Sequence, residues 1–304
     1  MEAILFPGQG AQFTGMGRSW CEAFPLAKET FAQASTTLGF SLEEACWTMG
    51  EFVHRTDIAQ PGILTTSVAI LRVLEQRGLD LSKAAMVAGL SLGEYTALWA
   101  TGSLTFVDAL RLVRLRGEAM QAASDALPSS MVSLMGATEE QAYTLAEIGA
   151  CHGICSVANL NAPGQVVVSG ELAALDALEL VAKDHGVRRT RRLVVAGGFH
   201  SECMRPAADR LANALEQIEI KSPRVPFLPN VSAMPTSEPQ QIRMLLAQQV
   251  CAPVQWEKSM RWAIAAGISK FLEPGPGKVL AALLGKIDPG VSCRAAAEPS
   301  DLAA

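Results

Sequence analysis

Apolar and polar positions along the chain follow two different periods. Short apolar runs bounded by Gly or Pro, such as Ala3-Ile4-Leu5-Phe6 before Pro7-Gly8 and Met86-Val87-Ala88 before Gly89, read as buried strands. Longer stretches between such runs read as helices, one of them starting at Gly93. Alternation of the two predicts an α/β protein with a mostly parallel sheet.

Residues 128–196 break that alternation. After the turn-rich Ala126-Leu127-Pro128-Ser129-Ser130, a strand is expected over Met131–Met135. A helix follows, opened by Thr138 with Gln141 three residues on, the spacing of a capping box. Two strands near Ile154–Asn159 and Gln165–Ser169 are joined by Asn161-Ala162-Pro163-Gly164. A second helix is expected from Leu172 to His185 with Gly186 as its stop, then a last strand over Arg191–Val195. The order βαββαβ is that of a ferredoxin-like unit. The expected division is a discontinuous catalytic domain, 1–127 and 197–304, with a ferredoxin-like subdomain at 128–196 inserted into it. The Ala-rich end, Ala295 to Ala304, is expected to be a loose tail.

Composition narrows the class. A chain of 304 residues has ample material for a buried core, and 49% apolar with 18% charged residues is ordinary for a soluble enzyme. A net charge of −5 argues against a nucleic-acid partner, so an anionic substrate must be met by local basic residues. No apolar run approaches membrane-spanning length, and the start of the chain lacks the pattern of a signal peptide. The seven cysteines are scattered. Cys151, His152 and Cys155 form the only cluster, with no second to complete a zinc site, so free thiols in a cytoplasmic protein and no metal are expected.

The chemistry-bearing signal is Gly89-Leu90-Ser91-Leu92-Gly93, a G-x-S-x-G pentapeptide at a strand-to-helix turn. Such a turn holds its serine in a strained conformation with the hydroxyl exposed, and its glycines let strand and helix close together. The N–H of Leu92 then faces the oxygen that becomes negative during attack on a thioester. A serine needs a base. Of the four histidines, His152 and His185 fall in the small subdomain, His54 sits in a polar stretch, and His200 follows the apolar Val194-Val195-Ala196-Gly197-Gly198-Phe199. His200 is favoured on pattern, with the other three left as alternatives.

Four segments together, Phe6-Pro7-Gly8-Gln9-Gly10-Ala11-Gln12, Gly89-Leu90-Ser91-Leu92-Gly93-Glu94-Tyr95, Gly198-Phe199-His200-Ser201 and Glu273-Pro274-Gly275-Pro276-Gly277-Lys278, resemble the malonyl-CoA:acyl carrier protein transacylases and the acyltransferase domains of polyketide synthases. The resemblance runs from about residue 4 to 290. It implies an α/β-hydrolase-like large domain beside the ferredoxin-like unit, Ser91 as nucleophile, His200 as base, and the Gln249 main-chain carbonyl as the group that orients the histidine. It further implies the N–H groups of Gln9 and Leu92 as the oxyanion hole, Gln60 and Asn161 in the acyl pocket, and Arg116 as the grip on the free malonyl carboxylate. A planar guanidinium suits that role, because it can hold a carboxylate with two parallel hydrogen bonds. Phe199 matches the malonyl-selective type, and Arg188 and Arg189 match positions near the entrance used by carrier protein and coenzyme A. One departure is Leu90, where most members have His. The implied partners are malonyl-CoA and an acyl carrier protein, with a monomer and no cofactor expected. The rivals are a serine hydrolase, which has no need of Arg116, and a non-catalytic docking subunit, which has no need of Ser91 and His200.

Overall fold

The computed structural model describes residues 2–303. Among them nine strands form two sheets: β1 (Glu2–Phe6), β2 (Val87–Gly89), β3 (Ser129–Met135), β4 (Cys155–Ala162), β5 (Gln165–Glu171), β6 (Arg189–Arg192), β7 (Phe227–Leu228), β8 (Lys270–Pro274) and β9 (Ser292–Ala296). The first sheet has the order β7-β2-β1-β8-β9, and every pairing in it is parallel. Its central strand β1 is apolar from Ala3 onward and covered on both faces, as a parallel sheet sandwiched between helices requires.

The second sheet has the order β4-β5-β3-β6 and is antiparallel throughout. Read along residues 129–192, that is the ferredoxin-like arrangement in which the first and third strands lie at the centre. Its two helices, Glu139–Ala150 and Leu172–Val181, cover one face and share a separate core with Val132, Leu134, Val157 and Val168. The capping box at Thr138 and Gln141 is formed in both directions.

Three expectations are corrected. The second helix of this unit ends at Val181, not His185, because Lys183, Asp184 and His185 are exposed and offer no face to bury. Gly186 nonetheless makes the left-handed turn, with φ 81°, that leads into β6. β6 itself covers Arg189–Arg192, four residues of an exposed edge. Its last tie to β3 is Leu193 N–H to the Met131 carbonyl, after which Val194 points fully into solvent. Over its described residues, to 303, the end of the chain is no loose tail, and Ala304 lies outside them. β9 pairs with β8, the Asp301 carboxylate accepts the N–H groups of Ala297 and Glu298, and the buried Trp20 indole donates to the Ala297 carbonyl at 2.8 Å. Polar anchoring of this kind does not register in an Ala-rich composition. No helix is long and apolar enough to cross a membrane among the described residues.

Candidate active site

β2 delivers Gly89 to a sharp turn, and the helix Gly93–Ala100 starts four residues later. A Cβ on Gly89 would collide with the Gly93 backbone, and one on Gly93 with the Phe6 carbonyl, so neither position tolerates a side chain. Between them Ser91 sits at φ 51°, a left-handed conformation costing a non-glycine residue about 1–3 kcal/mol. The strain is held by bonds from distant chain. Asn230 Oδ1 accepts the Ser91 N–H at 2.6 Å, and Asn230 Nδ2 donates to the Gly89 carbonyl at 2.7 Å. Gln249 Nε2 donates to the Ser91 carbonyl at 3.0 Å.

His200 is the histidine brought to the serine. Its Nε2 lies 2.9 Å from Ser91 Oγ, and its Nδ1 lies 2.7 Å from the Gln249 main-chain carbonyl. A carbonyl can only accept, so the proton resides on Nδ1 and Nε2 is free to take one from the hydroxyl. His200 also has positive φ, 59°, on a turn tied to β3 by Gly198 N–H to Ser129 Oγ at 2.9 Å. Burial, then the nearby Arg116 charge, pushes its pKa down to about 4. The imidazole is therefore neutral, the form that can accept a proton. His54 is half-exposed at the rim, 3.4 Å from Gln12 Nε2, and makes no contact with Ser91. His152 and His185 are exposed in the smaller unit, and all three alternatives are thereby set aside on geometry.

Arg116 comes from the helix Phe106–Ala126, which crosses the helix Thr56–Gln76 so closely that a Cβ on Gly117 would lie 2.7 Å from the Thr56 carbonyl oxygen. The crossing is locked by Arg114, which reaches the Asp57 carboxylate at 3.1 Å and its carbonyl at 2.6 Å. The fully buried guanidinium of Arg116 donates from Nη1 to Gln60 Oε1 at 2.8 Å, and from Nη2 to Ser91 Oγ and Gln249 Oε1, both at 3.0 Å. Burial lowers its pKa and the Tyr95 and Glu94 side chains oppose that; a guanidinium stays charged. The sequence reading set Gln60 in the pocket wall. The structure sets it behind Arg116, as the acceptor that aims it, and not among the cavity-lining residues.

A cavity of about 760 Å³ opens onto Ser91, and Gln9, Asn161, Phe199 and Leu90 all line it. The backbone N–H groups of Gln9 and Leu92 have no acceptor within the protein among the described residues, and so remain available to an oxyanion. Asn161 Oδ1 is likewise buried and unpartnered. Leu90 contributes an apolar wall. Arg188 and Arg189 are exposed at the start of the edge strand β6 and do not line the cavity, while Arg192 is neutralised by Asp176 at 2.5 Å and Glu179 at 2.6 Å.

Sequence reasoning missed Glu94, Asn230 and the side chain of Gln249. Glu94 is buried and accepts from the Asn230 N–H at 2.5 Å and from Gln249 Nε2. Burial pushes its carboxyl up, while the Asn230 N–H, Arg116 and Gln249 pull it back. Only its place in the first turn after the serine hinted at such a role. Asn230 is 139 residues from Ser91 and gave no signal.

A parallel-sheet fold, a serine on a tight strand-to-helix turn, an imidazole on its hydroxyl and two free amides define an enzyme of acyl transfer. Comparison with known proteins agrees. Residues 4–286 match the family model described as "Acyl transferase domain". The malonyl CoA-acyl carrier protein transacylase of Bacillus subtilis (strain 168) is 39% identical over 302 residues, 99% of this chain and 94% of that protein. The crystal structure of an acyl-carrier-protein S-malonyltransferase from Bartonella henselae superposes with a TM-score of 0.95 at 38% identity, covering 100% of this chain and 98% of that one. A malonyl-transacylase solved in complex with its type II polyketide synthase acyl carrier protein gives 0.95 at 36% identity, covering 100% and 98%. The chain belongs to the malonyl CoA-acyl carrier protein transacylase family of acyltransferases.

Proposed function

We propose that this chain moves a malonyl group from malonyl-CoA to the phosphopantetheine thiol of an acyl carrier protein, in fatty acid or polyketide biosynthesis, through malonyl-Ser91. The observation that carries the reading is the buried Arg116 guanidinium 3.0 Å from Ser91 Oγ. A carboxylate one methylene away from the acyl carbonyl falls within reach of that cation, and in a dry pocket the match selects dicarboxylic acyl groups.

The steps balance with the groups in place. The lone pair of Ser91 Oγ forms a bond to the thioester carbon while the hydroxyl proton moves to His200 Nε2. The carbonyl oxygen takes the displaced electron pair and is met by the Gln9 and Leu92 N–H groups. Collapse breaks the carbon–sulfur bond, and the imidazolium gives its proton to the departing thiolate of coenzyme A. The carrier-protein thiol then passes its proton to His200 and attacks malonyl-Ser91. A second collapse breaks the bond to Ser91 Oγ, which takes the proton back. These steps draw on no metal or redox cofactor.

The proposal extends to the catalytic division at 1–127 and 197–304 with the inserted unit at 128–196, supported by the two separate sheets and the private core of the smaller one. It extends also to the cytoplasm as the working compartment, in keeping with seven free cysteines, to a monomer, and to Arg188 and Arg189 as exposed cations for an anionic partner. The test is to incubate the protein with malonyl-CoA and holo-carrier protein and compare malonyl-carrier protein with free malonate. Predominant transfer is expected; malonate as the main product would favour a hydrolase.

A further inference from the structure

Glu94 is a buried acid that no step of the proposed transfer uses. Its Oε1 accepts the Asn230 N–H at 2.5 Å and its Oε2 accepts from Gln249 Nε2. The same Gln249 Nε2 donates to the Ser91 carbonyl at 3.0 Å, and Gln249 Oε1 accepts from Arg116 Nη2 at 3.0 Å. The Ser91 carbonyl only accepts and a guanidinium only donates, and with the Asn230 N–H on its Oε1 the Glu94 carboxyl turns an accepting oxygen to each neighbour. Between them the Gln249 amide has a single orientation in which each contact joins a donor to an acceptor: NH₂ towards Glu94 and Ser91, oxygen towards Arg116. The end-for-end rotated amide would set NH₂ against guanidinium and oxygen against both the carboxylate and the Ser91 carbonyl.

We propose that Glu94 is a positioning residue, which fixes the orientation of the Gln249 amide and through it holds Arg116 where the malonyl carboxylate docks. The inference rests on the carboxylate-binding role proposed for Arg116. Glu94 acts on acyl selectivity and not on the base, because His200 is supported by the main-chain carbonyl of Gln249, which no amide rotation alters.

Glu94→Gln isolates the effect. The oxygen of the new carboxamide must keep facing the Asn230 backbone N–H, which cannot turn, so its NH₂ meets the NH₂ of Gln249. Gln249 relieves the clash by rotating, and Arg116 then loses its acceptor. The experiment measures kcat/KM for acylation by malonyl-CoA and by acetyl-CoA in wild type, Glu94→Gln, Gln249→Glu and the double variant, with each Tm recorded. The malonyl-to-acetyl ratio should fall about ten- to a hundredfold in Glu94→Gln, the usual cost of a buried charged donor without its acceptor. The double variant restores an acceptor for both Arg116 and the new carboxamide, so its ratio should partly recover. That recovery is short of wild type because the contact to the Ser91 carbonyl is still lost. It should also exceed that of Gln249→Glu alone, which sets two carboxylates together, so the comparison survives if the first variant does not fold. A purely structural role would lower both substrates in parallel and leave the ratio unchanged. An unchanged ratio, or a double variant no better than either single one, overturns the proposal. A wild-type protein without malonyl preference would refute the Arg116 reading itself, and this inference with it.

Discussion

The two ends of the cavity are built differently. At the reacting end, Ser91, His200, Arg116, Gln249 and Glu94 are joined by hydrogen bonds of 3.0 Å or less, and Arg116, Gln249, Glu94 and His200 are buried. At the mouth, Gln12 and His54 are 3.4 Å apart, His54 and Glu51 are 3.9 Å apart, and Val194 is wholly exposed. Preorganisation matters where charge develops or a small acyl group is chosen, because there each polar group acts in a water-poor setting. A mouth that must admit both coenzyme A and a protein-borne phosphopantetheine gains nothing from one fixed geometry. Substitutions at the reacting end should therefore cost far more than substitutions at the rim.

The largest loss is expected from His200→Ala. Without a base the hydroxyl is almost never ionised near neutral pH, and acylation by malonyl-CoA should fall about 10²- to 10⁴-fold in stopped-flow measurements. A near-normal His200→Ala would break the distinction between the two ends. Next comes Arg116→Ala. Removing one partner of a buried charge pair costs roughly 2–5 kcal/mol, so malonyl kcat/KM should drop about thirty- to several-thousand-fold while acetyl is spared or improved. A parallel fall for both acyl groups would mean that Arg116 serves the fold.

Two smaller effects sharpen the picture. Burial places the His200 pKa near 4, well below its ordinary 6.5. A group depressed in this way stays neutral as the pH falls from 7 to 5, where an ordinary histidine would leave only about one molecule in thirty competent. Malonyl-enzyme formation at low substrate should thus hold within about twofold over that range, then fall near pH 4. By the same sign, the folded protein binds fewer protons than the unfolded one between these two pKa values. This histidine's contribution to stability is present above about 6.5 and is lost as the pH falls to 4. An acid limb near pH 6.5 in the kcat/KM profile would contradict the buried, neutral base. Phe199, buried beside His200 in the cavity wall, should favour malonyl over methylmalonyl by roughly ten- to two-hundredfold, since one extra methyl is worth about 1–3 kcal/mol in a close pocket. Equal kcat/KM for the two thioesters would remove the steric role of the ring. His54→Ala, at the rim, should change acylation by no more than about threefold.

Much of this was legible in the sequence because it is local or periodic. The elbow at Gly89–Gly93 is set by backbone clearance, which glycine spacing reveals directly. The capping box at Thr138 and the βαββαβ order follow from short-range hydrogen bonding and from burial at fixed periods. What escaped is non-local. Asn230 and the Gln249 amide reach the nucleophile from far along the chain, and no pattern at either position marks the side chain as part of the site. Gln60 was placed in the pocket wall because its neighbourhood was recognised but its depth was not. The end of the chain was misread because its order depends on Trp20 and Asp301, two polar anchors that composition cannot weigh. Even at the elbow, spacing could identify the strained serine but not the Glu94–Asn230–Gln249 bonds that keep it strained.

The central claim is that Ser91 carries the acyl group. The direct measurement is the intact mass of the protein after brief exposure to malonyl-CoA, followed by peptide mapping, with Ser91→Ala run alongside. A single malonyl adduct on Ser91, absent from Ser91→Ala and discharged by holo-carrier protein, is the predicted result. An adduct at another residue, or one that persists in Ser91→Ala, would contradict it.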